Sequence, residues 1–279
     1  MRRAVLAVIL SLFALSHIHA AGPVERIFDK GRAIPFYNQP RNPDHEKYAE
    51  AVRRAQLSER MAGLVNRALL LRADIGVGFE SCGRPNAFFS PQRRVVVVCY
   101  EFVDLLGNTA AGDRELMSLP RERFARVVDG VMWSVFLHEL AHAVIAVNGV
   151  PVTGREEDVA DQFAVWFGLN FVDLNQTPLI NPTIWFWSRL AKERDLPSMS
   201  EEGRRMLMSD EHSLSEQRVY NVGCWALGFG SEAGARSAQL AGVTQERAQR
   251  CPNEYAQMDS GMRSQFLRFF KVRPLSGRW

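Results

Sequence analysis

The chain has 279 residues, a formal charge of +3, and apolar and charged fractions of 47% and 23%. That is the composition of an ordinary globular protein, not of a disordered or fibrous one. Arg2 and Arg3 are the only charged residues among the first twenty, so the remainder carries about +1, which is no electrostatic footprint for nucleic acid or an acidic membrane.

The chain opens as an export signal. Met1-Arg2-Arg3 precedes an apolar run from Ala4 to Leu15, and Ser16 to Ala21 follows, with the small residue Ala20 marking a cleavage point between Ala20 and Ala21. The run is shorter than the ~20 apolar residues of a spanning helix, and no later stretch is expected to be long and apolar enough to cross a bilayer. The expectation is therefore a signal peptide over 1–20 and an exported product, periplasmic or secreted, with no membrane span once the signal is removed. Its four cysteines, Cys82, Cys99, Cys224 and Cys251, are an even number in an exported chain and favour disulfides. Of the three pairings, Cys82–Cys99 with Cys224–Cys251 staples each half separately and is the expected one; free buried thiols are the alternative.

Residues 21–43 are rich in Pro, Gly and Asn without a period and read as an extended arm. From Asp44 apolar residues recur at three- and four-residue steps, which predicts one long amphipathic helix to Leu71. Ile75, Val77 and Phe79 then alternate with Gly76, Gly78 and Glu80, as in a half-buried strand. Asn86–Ser90 and Arg94–Val98 read as two more strands, and four consecutive valines suggest the latter is covered on both faces. A helix or turn over Glu101–Leu106 and a loop with Gly107, Asn108, Gly112 and Pro120 follow. A long helix is expected over Arg121–Asn148, stopped by Gly149 and Pro151. Thr153-Gly154-Arg155-Glu156 has the form of a capping box opening a helix to about Phe171. Later helices are expected at Pro182–Arg194, Ser215–Ala226 and Tyr255–Phe270. The corresponding division is a core over 44–195 and a helical C-terminal part over 196–279.

His138-Glu139-Leu140-Ala141-His142 lies within the long helix. Helical i, i+4 spacing lets two imidazoles reach one ion, and Glu139 to one side can take a proton from a water on that ion. The structural alternative is a pair of polar-face histidines. Two features weigh against it: past the signal there are only four histidines (His45, His138, His142 and His212), and a carboxylate cluster follows at Glu156, Glu157, Asp158 and Asp161. Glu157 and Asp161 share a helix face. The dipole of a helix N-terminus accounts for Glu156 and Asp158 but less well for Asp161. For stabilising an oxyanion, His212 and Tyr220 are the candidates, with Arg218 a weaker one.

His138-Glu139-x-x-His142 followed by Glu157-x-x-Ala160-Asp161 resembles the gluzincin metallopeptidases, particularly the HtpX-like group. The resemblance implies that Glu157 is the third zinc ligand and that Asp161 orients a ligand histidine. Asn86-Ala87-Phe88 is similar to the edge strand along which that group lays its substrate. More closely, the chain past the signal resembles a bacterial family labelled as metallopeptidases of unknown function. The matching stretches include Asn86–Pro91, Cys99-Tyr100-Glu101, Gln217–Asn221 and Cys224-Trp225. Unlike the HtpX-like group, no spanning helices flank the motif.

The expected fold is thus α+β and mostly helical, a zincin-like core with a small mixed sheet. The expected function is an exported metallopeptidase with one Zn2+, a hydrolase acting on a peptide or protein substrate through Glu139-assisted attack of zinc-bound water. The alternatives are a zinc hydrolase of a non-peptide or cell-wall amide, and an exported binding or scaffold protein with a structural zinc. No Gly-x-Ser-x-Gly elbow or phosphate-binding loop points to another class.

Overall fold

A computed structural model describes residues 29–172, 178–193 and 198–273; the expected signal, 1–20, lies outside them. Over the described residues the protein is mostly helical, with one mixed four-stranded sheet. Strands β1 (Ala33–Tyr37), β2 (Ile75–Glu80), β3 (Ala87–Ser90) and β4 (Val95–Cys99) lie in the order β1-β2-β4-β3. The first two pairings are parallel and β3 is antiparallel to β4. The expected arm thus contributes a strand. β1 was missed because its partner lies 42 residues on, Ala33 opposite Ile75. Gly78 makes the pairing possible, because a Cβ there would fall 2.1 Å from the Phe36 carbonyl oxygen and 2.7 Å from its ring. Val96, Val97 and Val98 are buried, as a strand covered on both faces requires.

The helix expected over Asp44–Leu71 is two, α1 (Glu46–Arg54) and α2 (Leu57–Ala68), after a 3-10 turn at Pro43–His45. The break is at Gln56, whose φ of 50° lies in the left-handed region. The apolar spacing runs on across the break because both helices bury the same side, Ala49 and Val52, then Met61 and Val65. α3 (Tyr100–Gly112) runs through the expected loop residues Gly107 and Asn108. A short α4 (Arg114–Met117) is capped by Asp113, which accepts the N–H groups of Glu115 and Leu116.

The motif helix α5 (Arg121–Asn148) ends at Gly149, where φ is +66° and the N–H reaches the Ile145 carbonyl. It lies against β3 and β4, while α2 packs on β1 and β2. α5 corrects one expectation: it carries a stretch that by length and composition could cross a bilayer, its most apolar window. However, 72% of that window is buried inside the protein, as in a core helix.

The returning helix α6 (Glu156–Phe171) has Arg155 at its N-cap and no side-chain cap. The capping box at Thr153 does not form; the first-turn acids serve other partners. α7 (Ile180–Glu193) is close to the expected helix. α8 (Glu201–Met208), α10 (Glu232–Leu240) and α11 (Gln245–Ala248) were not anticipated, whereas α9 (Ser215–Gly228) was. α12 (Cys251–Phe266) runs into a 3-10 turn at Leu267–Phe269, where Tyr255–Phe270 was expected to be helical. Phe266 and Phe270 pack on Phe163 of α6, and Leu70 donates to the Phe269 carbonyl, so the C-terminal end returns to the core. Both expected disulfides are present, Cys82–Cys99 beside the sheet and Cys224–Cys251 between α9 and α12.

Candidate metal centre

Helices α5 and α6 run side by side through the turn at 149–155, and the site lies where their polar positions meet. His138 and His142 sit one turn apart on α5, facing the first two turns of α6. Glu157 Oε2 is 3.0 Å from His138 Nε2 and 3.4 Å from His142 Nε2, and the two Nε2 atoms are 3.4 Å apart. The outer nitrogen of each ring faces a different carboxylate: His138 Nδ1 lies 2.8 Å from Asp161 Oδ1, and His142 Nδ1 lies 2.8 Å from Glu156 Oε1. Glu156 is a contact at the site that the sequence did not reveal, since the helix dipole alone explained an acid there.

Those contacts decide the chemistry. A carboxylate on Nδ1 keeps the proton on Nδ1 and turns the Nε2 lone pair inward. Two nitrogen lone pairs and a carboxylate oxygen then converge within 3.4 Å, an arrangement only a cation makes favourable. Without a metal, that cation is a proton. Burial pushes the His138 imidazolium down, but hydrogen bonds to Asp161 and Glu157 outweigh it and lift its pKa to about 9. Burial also favours the neutral Glu157 carboxyl, yet the three histidines around it hold it well below the usual carboxylate range. Asp161 is likewise held low against its burial, mainly by the Arg218 guanidinium and then by His138.

A third imidazole approaches from the segment after α8. His212 Nε2 lies 3.0 Å from Glu157 Oε2, and its Nδ1 lies 2.9 Å from Asp210 Oδ1. Between these two acids its pKa is raised, chiefly by the Glu157 contact. The segment is held down by α6: Arg155 donates to the Asp210 and Glu211 carbonyls, and Ser213 donates to Asp158 at 2.7 Å.

A cleft of about 770 Å³ opens on this centre. Glu139 lines it but is only 7% exposed; burial raises its carboxyl, with His138 and His142 opposing. Asn86, Ala87, Phe88 and Phe89 form one side, and α3 and α7 supply apolar wall through Phe102, Leu105, Phe186 and Leu190. Tyr220 is not brought to the site. It is 41% exposed, outside the cleft lining, and its ring lies over Gly242.

Over residues 37–263 the chain matches the model of a protein family described as "Putative metallopeptidase". The chain belongs to that family. No curated protein and no solved structure matches it. The family's description implies a metal, and His138, His142 and Glu157 offer three ligand atoms within 4.8 Å of one another.

Because metal ligation requires a neutral imidazole, metal uptake at pH 7 is expected to displace the His138 proton. Affinity for a divalent metal should therefore rise from pH 7 to about 9 and then level. The same proton stabilises the metal-free fold below the ordinary histidine pKa, a contribution lost as pH rises through about 9. Calorimetric titration in two buffers of different ionisation heat reads the released proton; an affinity flat across that range would contradict this.

Proposed function

We propose that the protein is an exported zinc-dependent peptidase, with zinc held by His138, His142 and Glu157. One observation carries the reading. Zinc bonds of about 2.0–2.2 Å in a tetrahedron place neighbouring ligand atoms roughly 3.3 Å apart. The three donor separations are 3.0, 3.4 and 3.4 Å. Two imidazoles and one carboxylate leave a fourth position, the donor set of a catalytic zinc site rather than a closed structural one. His138, His142 and Glu157 all line the cleft.

Zinc, when bound, supplies a Lewis acid that acidifies water and polarises a carbonyl. The chain's own groups do the rest. Glu139, buried and with a raised pKa, receives the water's proton and passes it to the departing amine. Asp161 and Glu156 orient the two imidazoles. His212, whose Nδ1 is held by Asp210 at the cleft, would turn its Nε2–H from Glu157, once that carboxylate serves the zinc, to the oxyanion that develops on the attacked carbonyl. Among the described residues β3 is an outer strand with β4 as its one neighbour, and it borders the cleft at Asn86–Phe89. An extended peptide adds to that edge by backbone hydrogen bonds. The arrangement of motif helix, returning glutamate helix and edge strand is zincin-like in this reading. Two disulfides support an oxidising, exported setting.

Zinc-loaded protein without its first twenty residues is expected to cleave members of a mixed peptide library, with cuts stopped by a zinc chelator and restored by zinc. No cleavage of any peptide by protein shown to hold zinc would defeat the peptidase reading.

A further inference from the structure

Arg218 carries a cation into the interior, 7% exposed, on the face of α9 that also buries Val222 and Trp225 at the fourth and seventh positions after it. A buried guanidinium needs partners to offset its desolvation. Its Nε donates to Asp161 Oδ2 at 2.8 Å and its Nη2 to Asp161 Oδ1 at 2.5 Å. The Trp187 ring lies against the guanidinium at 3.7 Å. Asp161 Oδ1 is the oxygen that accepts from His138 Nδ1, and Arg218 Nη2 itself lies 3.5 Å from that nitrogen.

We infer that Arg218 is a positioning residue for the metal centre, acting on His138 through Asp161, with Trp187 holding the guanidinium by its face. The inference rests on the zinc reading above. With both Asp161 oxygens engaged, the carboxylate cannot rotate away from Nδ1, and the Nε2 lone pair stays aimed at the ion. The cation also offsets one charge in a cluster of buried Glu139 and half-buried Glu157 and Asp161. A lysine would keep the charge but has neither the planar two-point fork nor the flat surface that stacks on Trp187. Arg218 on α9 and His212 before it thus bring residues after 196 to the centre as well as to the cleft wall.

The test is zinc affinity, measured on the full mature chain by competition with a chromophoric chelator, for wild type, Arg218→Met, Arg218→Lys, Asp161→Asn and the Met/Asn double variant. Arg218→Met is expected to weaken zinc binding by about 10–100-fold, the usual effect of losing a group that orients a ligand. Arg218→Lys should fall between Met and wild type. In the Asp161→Asn background, Arg218→Met should add less than about a twofold loss, because the path to His138 is already cut. Wild-type affinity in Arg218→Met, or the same further loss in both backgrounds, would overturn the inference. If Arg218→Met does not fold, Arg218→Lys takes its place in the cycle under the same two criteria. Failure of the wild type itself to bind zinc would overturn the zinc reading and this inference with it.

Discussion

Glu139→Gln is expected to leave zinc in place and lower peptide hydrolysis by about 10²–10⁴-fold, the range a positioned acid–base group contributes. Glutamine has the same shape but cannot take a proton. Glu139 is outside the three converging donors, so the ion's ligands are untouched. The exchange also replaces a buried acid whose raised pKa reflects its desolvation, so the fold should tolerate it. Hydrolysis within a few-fold of wild type, by protein still holding zinc, would remove Glu139 from the role of base.

Glu157→Ala is expected to have the largest effect on the metal. Glu157 Oε2 is the meeting point of the site, 3.0 Å from His138 Nε2, 3.4 Å from His142 Nε2 and 3.0 Å from His212 Nε2. Its loss should weaken zinc binding by more than about 100-fold, beyond the roughly 10–100-fold typical of residues that only orient a ligand. Asp158→Ala is the matched comparison. Asp158 is the next residue on α6 but accepts from Ser213, so its removal should change zinc affinity little. Chelator competition on both variants reads the difference, and the reverse order would move the third ligand to Asp158.

What could be read from the chain follows from how local each signal is. His138 and His142 are one helical turn apart, as are Glu157 and Asp161, so helical period alone placed each pair on one face. The valine run and the short-range cysteine pairs were legible for similar reasons. Non-local features were not. β1 pairs with a strand 42 residues away, through a gap that Gly78 leaves for Phe36. The break at Gln56 left the apolar spacing intact. Thr153 matched a capping box, but Glu156 turns its carboxylate to His142 instead of to a helix end. α8 buries no residue and so had no core stripe to betray it. Tyr220 was a candidate by proximity in sequence to His212 and Arg218, yet it does not line the cleft. Arg218 had a usable signal, an arginine in register with Val222 and Trp225 on a buried face. Its partner Asp161 is 57 residues away, however, and sequence could not supply that pairing.

The most direct test of the zinc site is elemental analysis of the purified mature protein, after zinc supplementation and removal of loosely held metal. A site of two imidazoles and one carboxylate at tetrahedral separations should retain about one zinc per chain. Protein that is folded, with both disulfides formed, and yet retains none would contradict the account at its centre.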